Sequence, residues 1–341
     1  MSRQMPVTIK DVSNDAKVSI KTVSRVINKE KNVAEKTREL VVKSIKKLGF
    51  KPNRSAQSLR SRKSHMIALL YDNPNKHYLA DIQRGILRLC KETGYNLVIQ
   101  ECDYTDPKLA LEISKFIDDF SIDGLVITPP LSDMQEFLNS LAGTEAEYSI
   151  IAPSTTLKDS LYVSSNDYEA SYAMTSKIIE KGHRDIAFIK GHQKHSASAL
   201  RFDGFLAALQ DNDVKLNIEW VKEGNFGFDS GFSAGLELLK SQNKPSVIFA
   251  SNDYMAAGVM KAAQMNGINI PLELSLIGFD DSPIAEQLWP SLTTVRQPVE
   301  EMAYHAARLL LGNIDGLSET IASKEFKSEL IVRESLINLI N

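Results

Sequence analysis

Two cations lie four residues apart in a short apolar stretch near the start of the chain. The stretch VSIKTVSRVIN covers residues 18–28 and contains Lys21 and Arg25. Residues four apart share one face of a helix. An arginine on such a face can donate two hydrogen bonds to guanine O6 and N7 in the major groove, while Lys21 can contact a base or a phosphate. The spacing therefore predicts a helix whose cationic face reads duplex DNA.

The charge of the chain is distributed unevenly. Residues 1–64 contain 17 Lys and Arg against 5 Asp and Glu, and the remaining residues contain 23 against 38. A basic segment on an acidic body is typical of polyanion binding confined to one small domain. The composition, 43% apolar and 24% charged, is ordinary for a soluble globular protein.

Helix signals surround the two cations. Thr8 and Asp11 have the spacing of a capping box, which predicts a first helix. A turn over residues 16–18 follows, and Ser19 is expected to cap a second helix that runs to about residue 28. The second helix should bury Val23, Val26 and Ile27, and should expose Ile20, Lys21, Ser24 and Arg25.

A third helix is predicted over residues 35–48, ended by Gly49. Its buried side should carry Leu40, Val41, Ile45 and Leu48. Three short helices with a tight turn between the first two form a helix-turn-helix unit. The second helix of such a unit fits the DNA major groove.

These segments resemble the headpiece of the lactose-repressor (LacI/GalR) family of bacterial transcription regulators. The similarity runs without a gap over residues 7–59 and includes VTIKDVSNDAKVSIKTVSRVIN and VAEKTRELVVKSIKKLGFKPNRSAQSLR. The family usually has Gly where this chain has Lys17, and a left-handed backbone there costs a non-glycine residue about 1 kcal/mol. The resemblance implies these DNA-binding residues: Thr8, Ser19, Ile20, Lys21, Thr22, Ser24, Arg25, Asn28, Asn53, Arg54, Ala56 and Leu59.

The resemblance also implies a hinge after the headpiece. The headpiece would cover residues 1–52 and the hinge helix with its linker residues 53–64. Asn53 can cap this helix of about two turns, which is marginal alone and in the family orders on operator DNA. Leu59 would then wedge into a minor-groove step and kink the DNA.

The pattern changes from residue 65 onward, where short apolar runs alternate with amphipathic segments. The runs lie at residues 66–71, 97–101, 124–128, 149–152, 186–190, 246–250 and 274–279. Such alternation predicts parallel sheets wrapped by helices. Seven or more strands with a break near residue 160 indicate two doubly wound halves, which bind ligands beyond the carboxyl ends of their strands.

This body resembles the effector-binding core of the same family, which is related to periplasmic sugar-binding proteins. The matching stretches include KGHRDIAFIKG, PSVIFASNDYMAAGVM and SLIGFDDSPIAEQLWPSLTTVRQP. The expected fold is an all-α helix-turn-helix headpiece plus an α/β periplasmic-binding-protein-like core of two doubly wound subdomains. The core would cover residues 65–341. Its N-terminal subdomain would hold residues 65–164 and 295–324, and its C-terminal subdomain residues 165–294 and 325–341.

The resemblance, together with position after strand ends, implies a set of effector contacts. Sugars need donors and acceptors for their hydroxyls and apolar platforms for their ring faces. The expected contacts are His77, Tyr78, His195, Arg201, Phe226, Asn252, Asp280 and Gln297. Helix capping by Asn252 or Asp280, a core position for Phe226 and a structural ion pair for Arg201 remain alternatives. His183, His192 and His195 lack the convergent spacing of a metal site, so neither a metal nor a cofactor is expected.

The same residues weigh against other classes of protein. No phosphate-binding GxxxxGK[ST], HExxH or GxSxG motif occurs, and Asp280 and Asp281 are adjacent, so on an extended backbone their side chains point opposite ways. We therefore expect no enzyme. A solute-binding protein should carry a secretory segment and no headpiece, and an architectural DNA binder needs no ligand cleft. Neither a membrane span nor a disulfide is expected, and Cys90 and Cys102 should be reduced.

The sequence thus predicts a cytoplasmic, homodimeric, allosteric transcription regulator. It should repress carbohydrate-use genes from a near-palindromic operator, and a sugar or sugar derivative should release it. By the resemblance, dimer contacts come from the first core helix, residues 81–93. A purine or nucleoside effector is the second candidate, because His77, Tyr78 and Phe226 could stack on a base.

Overall fold

The computed structural model describes residues 7–27, 32–50, 63–154, 160–316 and 322–340. The chain divides into two compact units, residues 1–64 and residues 65–341. In the described part of the chain, no helix is long and apolar enough to span a membrane.

The first unit contains the three predicted helices: α1 (Ile9–Ala16), α2 (Ile20–Ile27) and α3 (Glu35–Leu48). The capping box is present, because the Asp11 carboxylate accepts a hydrogen bond from the Thr8 amide at 2.8 Å and the Thr8 hydroxyl accepts one from the Asp11 amide at 3.4 Å. The Ser19 hydroxyl caps α2 by accepting from the Thr22 amide at 3.1 Å. The small core of this unit is formed by four buried valines: Val12, Val23, Val26 and Val41.

The prediction that Leu40 is buried was wrong, because its side chain is 53% exposed. The buried stripe of α3 instead contains Val41 and Ser44, flanked by Ile45 and Leu48. Leu40 lies roughly 90° around the helix from the centre of that stripe. Ser44 can occupy an interior position because its hydroxyl donates to the Asp15 carboxylate at 2.8 Å.

The turn between α1 and α2 places a non-glycine residue in the left-handed region. Lys17 has φ 53° and ψ 42°, and its amide donates to the carbonyl groups of Ser13 and Asn14. Because a Cβ is strained in this conformation, Lys17→Gly should stabilise the headpiece by about 1 kcal/mol.

Amide hydrogen exchange at Val23 and Val26 in the full chain would measure this gain, as slower exchange in Lys17→Gly. Lys17→Ala keeps the Cβ and should leave the exchange rates near those of the parent chain. Equal rates in all three chains would show that Lys17 stores no strain.

The second unit is an α/β core with three sheets. Its strands are β1 (Met66–Tyr71), β2 (Asn96–Glu101), β3 (Gly124–Ile127), β4 (Glu147–Ile151), β5 (Tyr162–Ser165), β6 (Ile186–Ile189), β7 (Val221–Lys222), β8 (Val247–Ala250), β9 (Ser275–Ile277), β10 (Thr294–Arg296), β11 (Lys324–Phe326) and β12 (Glu329–Ile331). A six-stranded parallel sheet has the order β11-β5-β4-β3-β1-β2, and a four-stranded parallel sheet has the order β7-β6-β8-β9. Strands β10 and β12 form an antiparallel pair.

Helices of this unit cover the sheets, which confirms the predicted fold class. They are α4 (Lys76–Thr93), α5 (Leu109–Phe120), α6 (Gln135–Leu141), α7 (Asp167–Glu180), α8 (Ser196–Asp211), α9 (Phe228–Lys240), α10 (Asp253–Met265), α11 (Pro283–Gln287) and α12 (Val299–Ile314). Strands β3, β6 and β8 are buried along their whole length because each runs beneath helices. We call the part built on the six-stranded sheet the first lobe and the part built on the four-stranded sheet the second lobe.

The chain passes between the lobes more than once. It leaves the six-stranded sheet after β5, enters the second lobe through α7, and returns through β10 to α12. It then adds β11 to the edge of the six-stranded sheet and crosses again into β12. The carboxyl ends of strands from both lobes therefore face a shared cleft.

Candidate effector cleft and DNA interface

The cleft lies where the parallel strands of both lobes end. Its empty space is about 450 Å³, including the part that is open to solvent. The lining residues are Asn73, Asn75, Tyr78, Pro129, Ala152, Ser165, Asp167, His195, Ala197, Arg201, Phe226, Asp280 and Gln297. The structure thus brings together six of the eight expected contacts.

The two other expected contacts, His77 and Asn252, do not line the cleft. The His77 ring stacks on Tyr254 at 5.4 Å between ring centroids. The Asn252 side-chain oxygen accepts from the Met255 backbone amide at 2.9 Å, and its side-chain nitrogen donates to the Phe226 carbonyl at 2.9 Å. Both polar atoms are therefore used within the fold. Asn252 therefore caps α10, which was the alternative interpretation of this residue.

Arg201 projects from α8 into the centre of the site. Its Nε donates to Asp167 at 2.7 Å, and one Nη donates to the Ser251 carbonyl at 2.5 Å and lies 3.5 Å from Asp280. The guanidinium also lies 3.7 Å from the centre of the Phe279 ring. Because the side chain is nearly fully buried, these contacts hold it in one orientation.

Asp167 is a central residue that sequence reasoning missed. Its carboxylate accepts from the Ser165 hydroxyl, from the Arg201 guanidinium and, at 3.1 Å, from the side-chain nitrogen of Gln297. It follows β5, whose sequence YVSS lacks the apolar run by which the other strands were predicted. Asn73 and Asn75 were missed as well, although they directly precede α4, whose first turn holds Tyr78.

Four residues near the cleft have a left-handed backbone: Ala152, Phe226, Asp280 and Asp281. Asp280 has φ 108°, which is unusual for a residue with a Cβ. Strain of this kind persists where the surrounding structure fixes the backbone, and it concentrates at binding sites. Here it turns the Asp280 side chain toward the cleft, where its Oδ2 accepts from Asn75 of the first lobe at 3.1 Å.

The expected DNA contacts on α2 lie on its outward side. Ile20 and Lys21 are exposed and Thr22, Ser24 and Arg25 are partly exposed, whereas Val23 and Val26 of the same helix are buried. The hydroxyls of Thr8 and Ser19 cap helices. The other expected DNA contacts, Asn28, Asn53, Arg54, Ala56 and Leu59, lie outside the described residues.

Comparison with known proteins agrees with both units. Residues 8–53 match the model for bacterial regulatory proteins of the lacI family, and residues 175–336 match the periplasmic binding protein-like domain. The HTH-type transcriptional repressor PurR of Vibrio vulnificus is 31% identical over 96% of this chain and 98% of its own length. PurR of Pectobacterium atrosepticum is 33% identical over 96% of both chains. The chain belongs to the lacI family.

Solved structures of two transcription regulators are similar to this chain over nearly its whole length. The CelR regulator in complex with cellobiose is 29% identical, with a TM-score of 0.73 over 96% of this chain and 99% of that one. The Lac repressor dimer bound to operator and the anti-inducer ONPF is 25% identical, with a TM-score of 0.80 over 97% and 99%. Like these relatives, the present lacI-family chain is a ligand-responsive, DNA-binding transcriptional repressor.

Burial controls the protonation of this lacI-family cleft. Burial raises the pKa of Asp280 to about 8, which the neighbouring Arg201 opposes and the charges of Asp253, Asp167 and Asp81 reinforce. Burial likewise raises the pKa of Asp253 to about 7. Burial, with His192 and Arg201 nearby, lowers the pKa of His195 to about 3, so its imidazole is neutral at pH 7. A neutral imidazole offers one donor and one acceptor.

The raised pKa of Asp280 has a consequence for stability. A carboxyl whose pKa is higher in the folded than in the unfolded chain stabilises the fold at low pH, and this contribution is lost as pH rises. The free energy of unfolding of the parent chain should decline from about pH 4, the pKa of an Asp in the unfolded chain, to about pH 8, the pKa of Asp280 in the folded chain. We expect this decline to be smaller in Asp280→Asn. A smaller decline should remain, because Asp253 titrates in the same direction.

Urea unfolding of the full chain across this pH range would measure the effect, with Asp229→Asn as a control on an exposed residue of α9. The control should follow the parent chain at every pH. The same pH dependence in Asp280→Asn and the parent would show that Asp280 titrates like an ordinary surface carboxyl.

No group of three or more His, Cys, Asp or Glu suited to a metal ion occurs among the residues that the structure describes. His183 lies apart from the cleft, where its ring contacts the Ser246 hydroxyl at 2.9 Å and the Ile337 carbonyl at 3.3 Å. His195 instead contacts the edge of Phe226, at 5.5 Å between ring centroids. The histidines of this segment therefore serve packing and the cleft lining.

Proposed function

We propose that the protein is a homodimeric repressor of carbohydrate-use genes, released from a near-palindromic operator by a sugar inducer. The observation that carries the proposal is the number of hydrogen-bonding side chains that line the cleft. Two carboxyl groups, one arginine, three side-chain amides and a neutral imidazole line one space, and Phe226 offers an apolar surface. The several hydroxyl groups of a sugar ring need such a dense array of donors and acceptors.

A purine or nucleoside effector is the second candidate. The PurR relatives at 31% and 33% identity favour it, and Tyr78 and Phe226 could stack on a base. A base needs apolar contact on both faces and only a few polar contacts at its edge. The lining has more hydrogen-bonding side chains than apolar ones, and the similarity to a cellobiose-bound regulator adds support for a sugar.

The DNA-binding side of the proposal rests on α2. Lys21 and Arg25 share its outward side, and the unit that holds them carries 17 basic against 5 acidic residues. We infer that Arg25 reads a guanine, and that Asn53, Arg54, Ala56 and Leu59 of the hinge contact the operator. Because the partner is chromosomal DNA, the protein acts in the cytoplasm.

We infer a homodimer because a two-fold operator requires two headpieces at fixed spacing. Helix α4 and the edge strand β2 of the first lobe are the expected contact surface. Leu87 on α4 is 50% exposed and Ile99 on β2 is 44% exposed, so both offer apolar surface to a partner chain.

The proposed mechanism is linkage between effector and operator binding. Direct contacts already join the lobes across the cleft, from Asn75 to Asp280 and from the Ser196 hydroxyl to the Ala152 carbonyl, both at 3.1 Å. An effector that changes the relation of the lobes can thereby alter the spacing of the two headpieces. If it binds the non-DNA form about 100-fold better, operator affinity shifts by roughly 2.7 kcal/mol, and the coupling is reciprocal.

We infer that the cleft binds its ligand without catalysing a reaction. The paired carboxylates of Asp280 and Asp281 diverge. Asp280 faces the cleft, whereas Asp281 pairs with Arg296 and Arg333, each at 2.7 Å. A glycosidase needs two carboxyl groups flanking one bond, and this pair cannot supply them.

A thermal-shift screen tests the proposal, because a ligand that binds only the folded chain raises the melting temperature by mass action. The panel contains neutral mono- and disaccharides, purine bases and nucleosides. Gln297→Leu should lose the shift given by a true effector, and Gln264→Leu, on the exposed side of α10, should keep it. A sugar that also releases operator DNA supports the proposal, binding by purines alone supports the second candidate, and binding by neither class contradicts both.

A further inference from the structure

We propose that the cleft admits only uncharged sugars and excludes their phosphate esters. This inference rests on the proposed effector cleft and specifies its ligand further. Three features of the described residues support it. The contacts of Arg201 are already satisfied within the chain, the amides at the helix N-termini near the cleft are already used, and several acidic residues surround the site.

Arg201 is the single Lys or Arg on the described lining of the cleft. Its guanidinium is committed to Asp167, to the Ser251 carbonyl and to the face of Phe279, with Asp280 at 3.5 Å. A phosphate dianion needs donors that are not already neutralised by carboxylates. Arg201 can orient a hydroxyl of a neutral ligand but cannot balance two further negative charges.

Helix N-termini are the other groups that hold phosphate in proteins. The N-terminus of α4 is capped by the Asn75 side chain, which accepts from the amides of His77 and Tyr78 at 3.2 Å. The N-terminus of α10 is capped by Asn252. The amide of Ser196, at the start of α8, lies 3.4 Å from a carboxylate oxygen of Asp133 in the first lobe. These amides are therefore already used within the chain. Helix α7 has no side-chain cap, but its first residue is Asp167, whose carboxyl group already lies in the cleft at that N-terminus.

The surrounding charge opposes an anion as well. Asp167 and Asp280 both line the cleft, against one arginine. Asp81 and Asp253 are close enough to raise the pKa of Asp280 further. In a buried site of low dielectric, an additional negative charge is strongly repelled. An uncharged ring with hydroxyl donors instead satisfies the carboxylate oxygens.

A consequence concerns the supply of the effector. If only the unphosphorylated sugar binds, the reaction that provides it must leave it unphosphorylated, as hydrolysis of a glycoside or uptake without phosphoryl transfer does. A phosphorylating step would remove the effector and restore repression.

Two measurements on the full chain test the exclusion. The first compares thermal shifts given by glucose, galactose, fructose, ribose and trehalose with those given by their phosphate esters. Each ester should bind at least about tenfold more weakly than the parent sugar, equivalent to 1.4 kcal/mol. The second titrates inorganic phosphate into the parent chain, Asp280→Asn and the control Asp229→Asn.

At about pH 9, where the Asp280 carboxyl of the parent chain is ionised, inorganic phosphate should give Asp280→Asn a saturable rise in melting temperature, because loss of this negative charge makes Arg201 available. The parent and Asp229→Asn should show only the small, non-saturable rise that excluded salts give to any protein. Tighter binding of any phosphate ester than of its parent, or saturable phosphate binding by the parent chain, would overturn the inference. Absence of a gain in Asp280→Asn would also overturn it.

These outcomes are distinct from failure of the sugar proposal. If only purines bind, the sugar assignment fails, and the same phosphate titration of Asp280→Asn still decides whether the cleft carboxylates exclude anions. If a sugar and its phosphate bind equally, the sugar assignment stands and the exclusion fails.

Discussion

Arg201→Met should abolish the effector response while leaving effector-free operator binding intact. Arg201 holds Asp167 at 2.7 Å and lies 3.5 Å from Asp280, so it fixes the two carboxylates that the effector is expected to contact. Methionine keeps the packing on Phe279 but supplies no donor. We expect the effector to bind at least about 100-fold more weakly, a loss of roughly 2.7 kcal/mol.

The same substitution should lower the stability of the core. Removing one partner of a buried ion pair leaves an uncompensated charge and costs about 3–5 kcal/mol. Urea unfolding measures this loss of stability, and fluorescence anisotropy of labelled operator, with and without effector, measures the response.

Two matched variants make the result specific. Arg201→Lys keeps the charge without the planar fork and should retain the stability better than the response. Arg296→Gln removes an arginine that is 49% exposed and pairs with Asp281 outside the cleft, so it should respond normally. A normal response of Arg201→Met at the same effector concentration would remove Arg201 from the effector site.

Arg25→Ala should reduce affinity for the specific operator by about 1–3 kcal/mol per half-site and hardly change affinity for random DNA. The arginine lies on the outward side of α2, opposite Val23 and Val26, where a helix in the major groove meets base edges. Loss of a bidentate contact removes discrimination, whereas the phosphate contacts that support random binding remain.

Anisotropy titrations with an operator fragment and a scrambled fragment of equal length measure the two affinities. Lys240→Ala, an exposed cation at the end of α9, changes the net charge equally and should affect neither fragment. Equal losses on both fragments in Arg25→Ala would limit Arg25 to a phosphate contact.

The helices of the headpiece were readily predicted from sequence because the residues that begin and end them lie within the helices or next to them. Thr8, Asp11, Ser19 and Gly49 are capping residues, and their hydrogen bonds lie within a few residues of each helix end. Periodicity located α3 at the residues where it occurs, 35–48. It misplaced Leu40 because an apolar residue at the border of a stripe can face either way, and the rotation of α3 depends on contacts with other helices, such as that of Ser44 with Asp15.

The core strands could be predicted where the sequence has an apolar run, which includes β2, β4 and β9. The runs at β1, β3, β6 and β8 are buried on both faces and therefore stand out. Strands β5, β11 and β12 are short and partly polar, because they lie at a sheet edge or at the crossings between lobes. Strand β11 pairs with β5, as Lys324 with Val163, and β12 pairs with β10, as Ile331 with Thr294, and no local pattern reveals these pairings.

Whether a residue lines the cleft depends on the direction of its side chain as well as on its position in the sequence. His77 and Tyr78 are adjacent in the first turn of α4, so their side chains diverge by about 100° and only Tyr78 lines the cleft. Asn252 follows a strand end as expected, but the amides of α10 use its side chain. Asp167 escaped prediction because its role depends on Arg201 and Gln297, which reach it from other elements.

The central claim is that the headpiece binds DNA and that a ligand in the cleft controls this binding. The most direct test is an operator titration at several salt concentrations, with and without the ligand that raises the melting temperature. We expect binding that weakens steeply with salt, because cations of residues 1–64 release counterions from DNA. The ligand should weaken binding by about 100-fold in the parent chain and have no effect in Arg201→Met. Control of the headpiece by the cleft would be contradicted if operator binding did not depend on salt concentration, or if a ligand bound in the cleft left operator binding unchanged.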